Sequence, residues 1–169
     1  MRNLKKFEEL ILERLSPKLK WDELTSILHK KLGFNITDLI YDVATELEDA
    51  EMKTFFFVYV QNKNKPGFTG VLSYHKDKDS DNHQNSSWVN YDKNISFLDI
   101  YKSSYRDDIR NMNFDPIISI SVQSEKVDKE LFFDVIDKYC ELYNLRIHND
   151  PRIGDFYHTD RFITLDLSK

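Results

Sequence analysis

The most apolar stretch of this chain runs from Thr54 to Val60, and nearly all of its residues are β-branched or aromatic. A strand with one face in water alternates apolar and polar side chains, but this stretch is apolar at odd and even positions alike. An extended chain divides its side chains between two faces: Phe55, Phe57 and Tyr59 on one, and Phe56, Val58 and Val60 on the other. Because both faces require cover, the stretch predicts a central strand with protein packed on each side.

Helical spacing of apolar residues predicts three helices ahead of this strand, at about 4–15, 21–32 and 37–47. Gly33 is expected to end the second helix as its C-cap. Either Asn35 or Thr37 is expected to begin the third helix as its N-cap.

Beyond the helices, periodicity and turn residues predict strands at 53–61, 68–75 and 86–91, a helix at 96–111, a strand at 117–122, a helix at 126–144 and a strand at 161–167. Ser96 followed by Asp99 resembles a capping box and places the start of the helix at 96–111. The last two strands are joined either by a right-handed crossover or by an antiparallel return.

This order of elements predicts the α+β class, with N-terminal helices followed by a mixed four- to five-stranded sheet with helices packed on it. We interpret residues 1–169 as a single domain, in which 1–50 form the helical part and 51–169 the sheet core.

Charge and cysteine content limit the partners and the compartment of the chain. The net charge of −5 disfavours nonspecific binding to DNA or RNA, which needs a basic face, and favours a basic protein partner. Cys140 is the only cysteine, so no internal disulfide forms, which is typical of a reducing compartment. The first residues lack the apolar core of a signal peptide, and no apolar run has the length of a membrane span. These features predict a cytoplasmic protein without membrane contact.

The most conspicuous polar stretch follows the second strand, and its alternating members are His75, Asp77, Asp79, Asp81 and His83. The aspartates imitate the beginning of a calcium loop, but Asn82 and Trp88 stand where that loop requires Gly and Glu. A transition-metal site with His and Asp ligands is an alternative. We favour a solvated loop, and predict neither a metal nor a cofactor.

A second polar segment, 146–161, is predicted to be a long loop, and loops of this length are often functional. His158 with Asp155 or Asp160 could act as a base and its orienting carboxylate. No nucleophile in a recognisable setting accompanies them, because Cys140 is expected to pack on the apolar side of its helix. A small enzyme or metal-binding protein that uses these His/Asp loops is therefore the alternative to a binding protein.

The candidate partner-binding residues are acids and aromatic side chains in two parts of the chain. They are Asp77, Asp79, Asp81, Trp88 and Tyr91 in and after the polar loop, and Glu46, Glu48 and Asp49 late in the third helix. An acidic α+β chain of this size without a catalytic motif resembles the immunity proteins of bacterial toxin systems, including contact-dependent growth inhibition. The resemblance is one of size, charge and motif content over the whole chain, and no functional residue is carried over. It implies a protein without enzymatic activity that binds and blocks one cognate toxin domain, often a basic nuclease.

Overall fold

The computed structural model describes residues 18–63, 67–76, 88–90, 94–98, 100, 102–124, 127–148, 150, 152 and 162–167. Within these ranges, four helices and a seven-stranded sheet form an α+β architecture, as the sequence predicts. A cluster of buried apolar side chains joins the helices to the sheet. The helix predicted at about 4–15 lies outside the described residues.

The described helices are α1 (Trp21–Leu32), α2 (Ile36–Asp49), α3 (Ser103–Arg110) and α4 (Lys129–Tyr143). Gly33 follows α1 in the left-handed conformation, with φ 81°, and its N–H donates to the carbonyl of His29 at 2.8 Å. The side chain of Asn35 accepts a hydrogen bond from the N–H of Thr37 at 3.1 Å and so caps α2. The predicted C-cap is confirmed, and Asn35 is the N-cap. None of these four helices is both long and apolar enough to cross a membrane.

The strands are β1 (Thr54–Asn62), β2 (Phe68–His75), β3 (Trp88–Asn90), β4 (Ile95–Leu98), β5 (Phe114–Val122), β6 (Arg146–Ile147) and β7 (Phe162–Asp166). Their order across the sheet is β3-β4-β2-β1-β5-β7-β6, and every neighbouring pair is antiparallel. The sheet therefore has more strands than the four or five predicted, and it is not mixed. The chain leaves α4 through β6, which pairs with β7, and β7 returns antiparallel to β5, so no crossover forms.

β1 lies at the centre of the sheet, between β2 and β5, as predicted. The exposure of its apolar side chains alternates: Phe56, Val58 and Val60 are buried, whereas Phe55, Phe57 and Tyr59 are half-buried. We call the sheet surface that carries Phe56 the first face, and the surface that carries Phe57 the second face.

The helices pack on the first face. Trp21 of α1 meets Phe97 of β4 with ring centroids 6.0 Å apart, and Tyr41 of α2 meets Tyr74 of β2 at 5.6 Å. α4 contributes Phe132 and other fully buried side chains to the same core. The described helices all belong to the layer on this side of β1, so the predicted packing of protein on the second face stays a prediction.

Residues 95–98 form β4, although 96–111 is predicted as one helix. Ser96 and Phe97 pair with β2, so this segment extends the sheet instead of beginning a helix. Aromatic residues at helical spacing also fit a strand followed by a short helix. Here the strand forms because it pairs with the backbone groups at the edge of β2. α3 begins only at Ser103, so the capping box predicted at Ser96 is wrong.

Two other predicted elements are confirmed. β3 falls within the short strand predicted at 86–91, and α4 falls within the helix predicted at 126–144. The side chain of Asp128 accepts from the N–H of Leu131 at 3.1 Å and caps the start of α4, and Asn144 ends it in the left-handed conformation.

Candidate functional site

The second face carries a column of aromatic rings along β1. The ring centroids of Phe55 and Phe57 are 4.7 Å apart, those of Phe57 and Tyr59 5.5 Å, and those of Tyr59 and Phe68 6.4 Å. We call these side chains the aromatic column. Each ring covers part of the next, which contributes to the half-buried state of the members on β1. Phe68, at the end of the column, keeps 62% of its surface exposed.

Small residues flank the aromatic column on both neighbouring strands. Ser73 of β2 and Ser119 of β5 are the cross-strand partners of Phe57, and Gly70 of β2 is the partner of Tyr59. Directly opposed residues in antiparallel strands share a face, so the rings project further than their neighbours. Ser73 and Ser119 are nonetheless buried, at 1% and 8% exposure.

A cleft of about 420 Å³ opens beside the exposed end of the column. It is lined by Tyr59, Phe68, Ile117, Ser119, His148 and Thr164, and we call it the second-face cleft. The backbone N–H of His148 donates to the carbonyl of Thr164 at 2.7 Å, which holds the segment after β6 against β7. The volume lies within the range of pockets that hold a small molecule or a large side chain.

Two carboxylates of the second face are strand neighbours of Ile117, which lines the second-face cleft. Asp115 occupies the alternate position before Ile117 on β5, and so the same face, and Asp166 of β7 is the direct partner of Ile117. Arg146 donates to Asp166 at 3.0 Å, so that pair has no net charge. Asp115 is half-buried and leaves a negative charge beside the cleft.

Most of the predicted site residues around the polar loop, namely Asp77, Asp79, Asp81 and Tyr91, lie outside the described residues. Trp88 begins β3 at one edge of the described sheet, where its backbone is paired with Leu98 of β4. The partner-binding role of all five residues stays a prediction.

The predicted site on α2 is engaged with other elements of the fold. Glu46 accepts hydrogen bonds from the ammonium group of Lys138 and, at 2.7 Å, from the hydroxyl of Tyr139, both on α4. These bonds, the one from Lys138 above all, lower the pKa of Glu46. Glu46 therefore connects α2 with α4. Because its carboxylate already accepts two hydrogen bonds, it is less available to a partner than a carboxylate on a solvated helix face.

Glu48 ties the end of α2 to the sheet. Its carboxylate accepts from the hydroxyl of Tyr74 at 2.9 Å, and the ammonium group of Lys76 approaches it to 3.6 Å. The Glu48 side chain is only 14% exposed, whereas Asp49 beside it is exposed. Lys76 immediately precedes Asp77 in the chain, so the helix site and the base of the polar loop are neighbours.

One candidate metal ligand of the polar loop, His75, is part of the sheet. His75 is the last residue of β2 and is 3% exposed, and its Nε2 lies 3.1 Å from Oε1 of Gln123. His83 lies outside the described residues. Among the residues that the structure does describe, no three His, Cys, Asp or Glu side chains are grouped as metal ligands would be.

The enzyme hypothesis rests on residues that the structure does not describe. His158, Asp155 and Asp160 all lie outside the described ranges, although β6 now occupies the beginning of the segment predicted to be a loop. Cys140 is half-buried, and desolvation raises the pKa of its thiol to about 11. The thiol is therefore protonated at neutral pH and is a poor nucleophile, in agreement with the predicted packing role.

The second-face cleft was not among the predicted sites, although β1 carries its signal. Apolar residues at both odd and even positions require cover on two sides, and the sequence interpretation assigns both covers to the chain itself. The far wall of the cleft also depends on β6 and β7, whose pairing has no marker in the sequence.

No protein-family model, curated protein or solved structure matches the chain.

Proposed function

We propose that the protein is an immunity protein, which binds a cognate toxin domain of the basic nuclease type through its second face and blocks it in the cytoplasm. The observation that carries the proposal is the aromatic column, which ends in the exposed ring of Phe68. Contiguous aromatic surface of this kind marks sites of protein interaction, and aromatic residues are enriched in the buried centre of interfaces.

The two properties of the surface have different tasks in this function. The aromatic column provides the anchors, because a few desolvated aromatic side chains supply most of the affinity of an interface. The net charge of −5 attracts a basic partner and speeds the encounter. The toxin is blocked by occlusion, so the immunity protein needs no chemistry of its own.

The test is co-expression with the toxin domain encoded by the neighbouring gene, followed by co-purification. The chain offers a matched pair of variants, because Phe68 and Leu142 are both large, apolar and exposed, at 62% and 66%. Phe68 lies on the second face, whereas Leu142 lies on α4 in the helix layer. Phe68→Ser should reduce protection and co-purification, and Leu142→Ser should leave both unchanged.

Two outcomes would contradict the proposal. If the toxin domain kills cells equally with and without the protein, and the two do not co-purify, the immunity function is wrong. If Leu142→Ser impairs protection as much as Phe68→Ser does, the partner does not bind through the second face. In the first case the segment with His158 and Asp160 becomes the place to look for an enzyme.

A further inference from the structure

We propose that the second-face cleft receives an arginine side chain of the partner. The inference rests on the proposed function and deepens it, because it names the chemical group that the second face recognises. Three features of the cleft support it: apolar lining residues that include an exposed ring, hydroxyl groups among the lining residues, and a carboxylate nearby on the same face of the sheet.

The apolar walls suit the stem and the planar head of arginine. Tyr59, Phe68 and Ile117 line the cleft, and the rings of Tyr59 and Phe68 meet edge to face with an interplanar angle of 70°. Phe57 stacks against Tyr59, but Phe68 is 62% exposed, and a guanidinium group stacks on an exposed ring face while its methylene stem packs against apolar neighbours.

Hydrogen-bond acceptors are also present among the lining residues. Ser119 and Thr164 line the cleft, and the hydroxyl of each can accept a hydrogen bond from the guanidinium group. An apolar side chain in the cleft would desolvate these hydroxyls without replacing their bonds to water, which is costly. A guanidinium group carries five N–H donors and avoids that loss.

The charge at the border is negative. Asp115 precedes Ile117 on the same face, and consecutive residues on one face of a strand are separated by about 7 Å. A side chain that lies along Tyr59 and Ile117 therefore brings its guanidinium within reach of this carboxylate. Arg146, one cation of this face, is held by Asp166 and therefore does not pair with Asp115. The acidic whole chain adds to the attraction.

The experiment uses the complete chain and blocked amino acids as probes. Isotope-labelled protein is titrated with N-acetyl-arginine amide, and the resonances of the Ile117 and Thr164 methyl groups report binding. The comparison probes are the same derivatives of citrulline, the neutral near-isostere, and of tryptophan, a planar apolar ring. Arginine should bind about threefold to tenfold more tightly than citrulline, because only arginine carries the charge.

Variants of the protein identify which groups hold the probe. Asp115→Asn should weaken arginine binding severalfold, whereas Asp134→Asn, the same change at an exposed acid of α4, should not. Tyr59→Leu should weaken binding because it removes the ring face, and Tyr59→Phe should retain it. The methyl spectrum of each variant away from the cleft shows whether the fold is intact.

The inference is overturned if citrulline or tryptophan binds as tightly as arginine, or if no probe shifts the Ile117 and Thr164 resonances at the highest soluble concentration. It is also overturned if Asp134→Asn weakens binding as much as Asp115→Asn. Failure of the proposed function is a separate result. Arginine selectivity without protection from the toxin would contradict the immunity function alone, and protection lost in Phe68→Ser without arginine selectivity would contradict the arginine assignment alone.

Discussion

Adjacent residues of β1 have opposite roles, because a one-residue step along a strand moves a side chain to the other face of the sheet. Phe56 is completely buried under the helices, and its ring meets that of Tyr74 at 5.4 Å. Phe57 is half-buried in the aromatic column. The two residues are chemically identical, so substitution at each position measures the difference between the two faces of the sheet.

Phe56→Ala should lower the free energy of unfolding by about 3–5 kcal/mol, because it leaves a cavity in the core. Phe57→Ala should cost about half as much or less, since part of this ring is in contact with water before the change. Chemical denaturation of both variants measures the two values. Equal losses would mean that the second face is as enclosed as the first.

Single residues predict local structure well, but they do not predict which face of the sheet the helices pack on. Gly33 and Asn35 act on backbone groups within one turn of a helix, so their caps are readable from the sequence. Which side of β1 the helices cover depends on contacts with residues far away in the chain. Phe57 and Phe56 have the same side chain, and nothing in their identity distinguishes the face under the described helices from the opposite face.

At the scale of elements, the sequence predicts long helices and long strands better than short ones. α2, α4 and β1 have enough periodic residues to define their type, and all were predicted close to their observed bounds. β4 and β6 are short, and each exists because a neighbouring strand has an edge to pair. The second-face cleft is hard to predict for the same reason, because the pairing of β6 with β7 brings His148 and Thr164 to it.

An ion pair connects α1 with α3. Arg110 donates from Nε to Oε1 of Glu23 at 2.6 Å and from Nη2 to Oε2 at 3.2 Å. This bidentate hydrogen bonding lowers the pKa of Glu23 below its ordinary value and raises that of Arg110. The Glu23 side chain is 37% exposed, so solvent screens the pair and its contribution to stability is modest.

Glu23→Gln should lower the free energy of unfolding at pH 7 by no more than about 1 kcal/mol. Because the folded-state pKa of Glu23 is depressed, its stabilisation is present above the unfolded pKa of about 4.5 and is lost as pH falls through the folded value. The difference between wild type and variant should therefore disappear in acid. Denaturation curves from pH 7 downward check this, with Glu141→Gln, at an exposed acid of α4, as a control that should change stability little.

For the molecule as a whole, the proposed function assigns folding to one face of the sheet and binding to the other. The helix layer supplies much of the core; Glu46 of α2 binds Lys138 and Tyr139 of α4, and Glu48 binds Tyr74 of the sheet. The second face keeps apolar surface that the described helices do not cover. An acidic molecule with one such face is suited to a basic partner, since long-range attraction and short-range apolar contact are then provided by different groups.

Salt should separate these two contributions to binding of the cognate toxin domain. Between about 0.05 and 0.5 M salt the association rate constant should fall severalfold or more, because screening shortens the range of the attraction. The dissociation rate constant should change much less, whereas Phe68→Ser should mainly increase it.

Neutralising Asp77, Asp79 and Asp81 together should slow association more than neutralising Glu130, Asp134 and Glu141, three exposed acids of α4. Stopped-flow or surface-based kinetics measure both rate constants. Equal effects of the two triple variants would assign the attraction to net charge alone and exclude a special role for the polar loop.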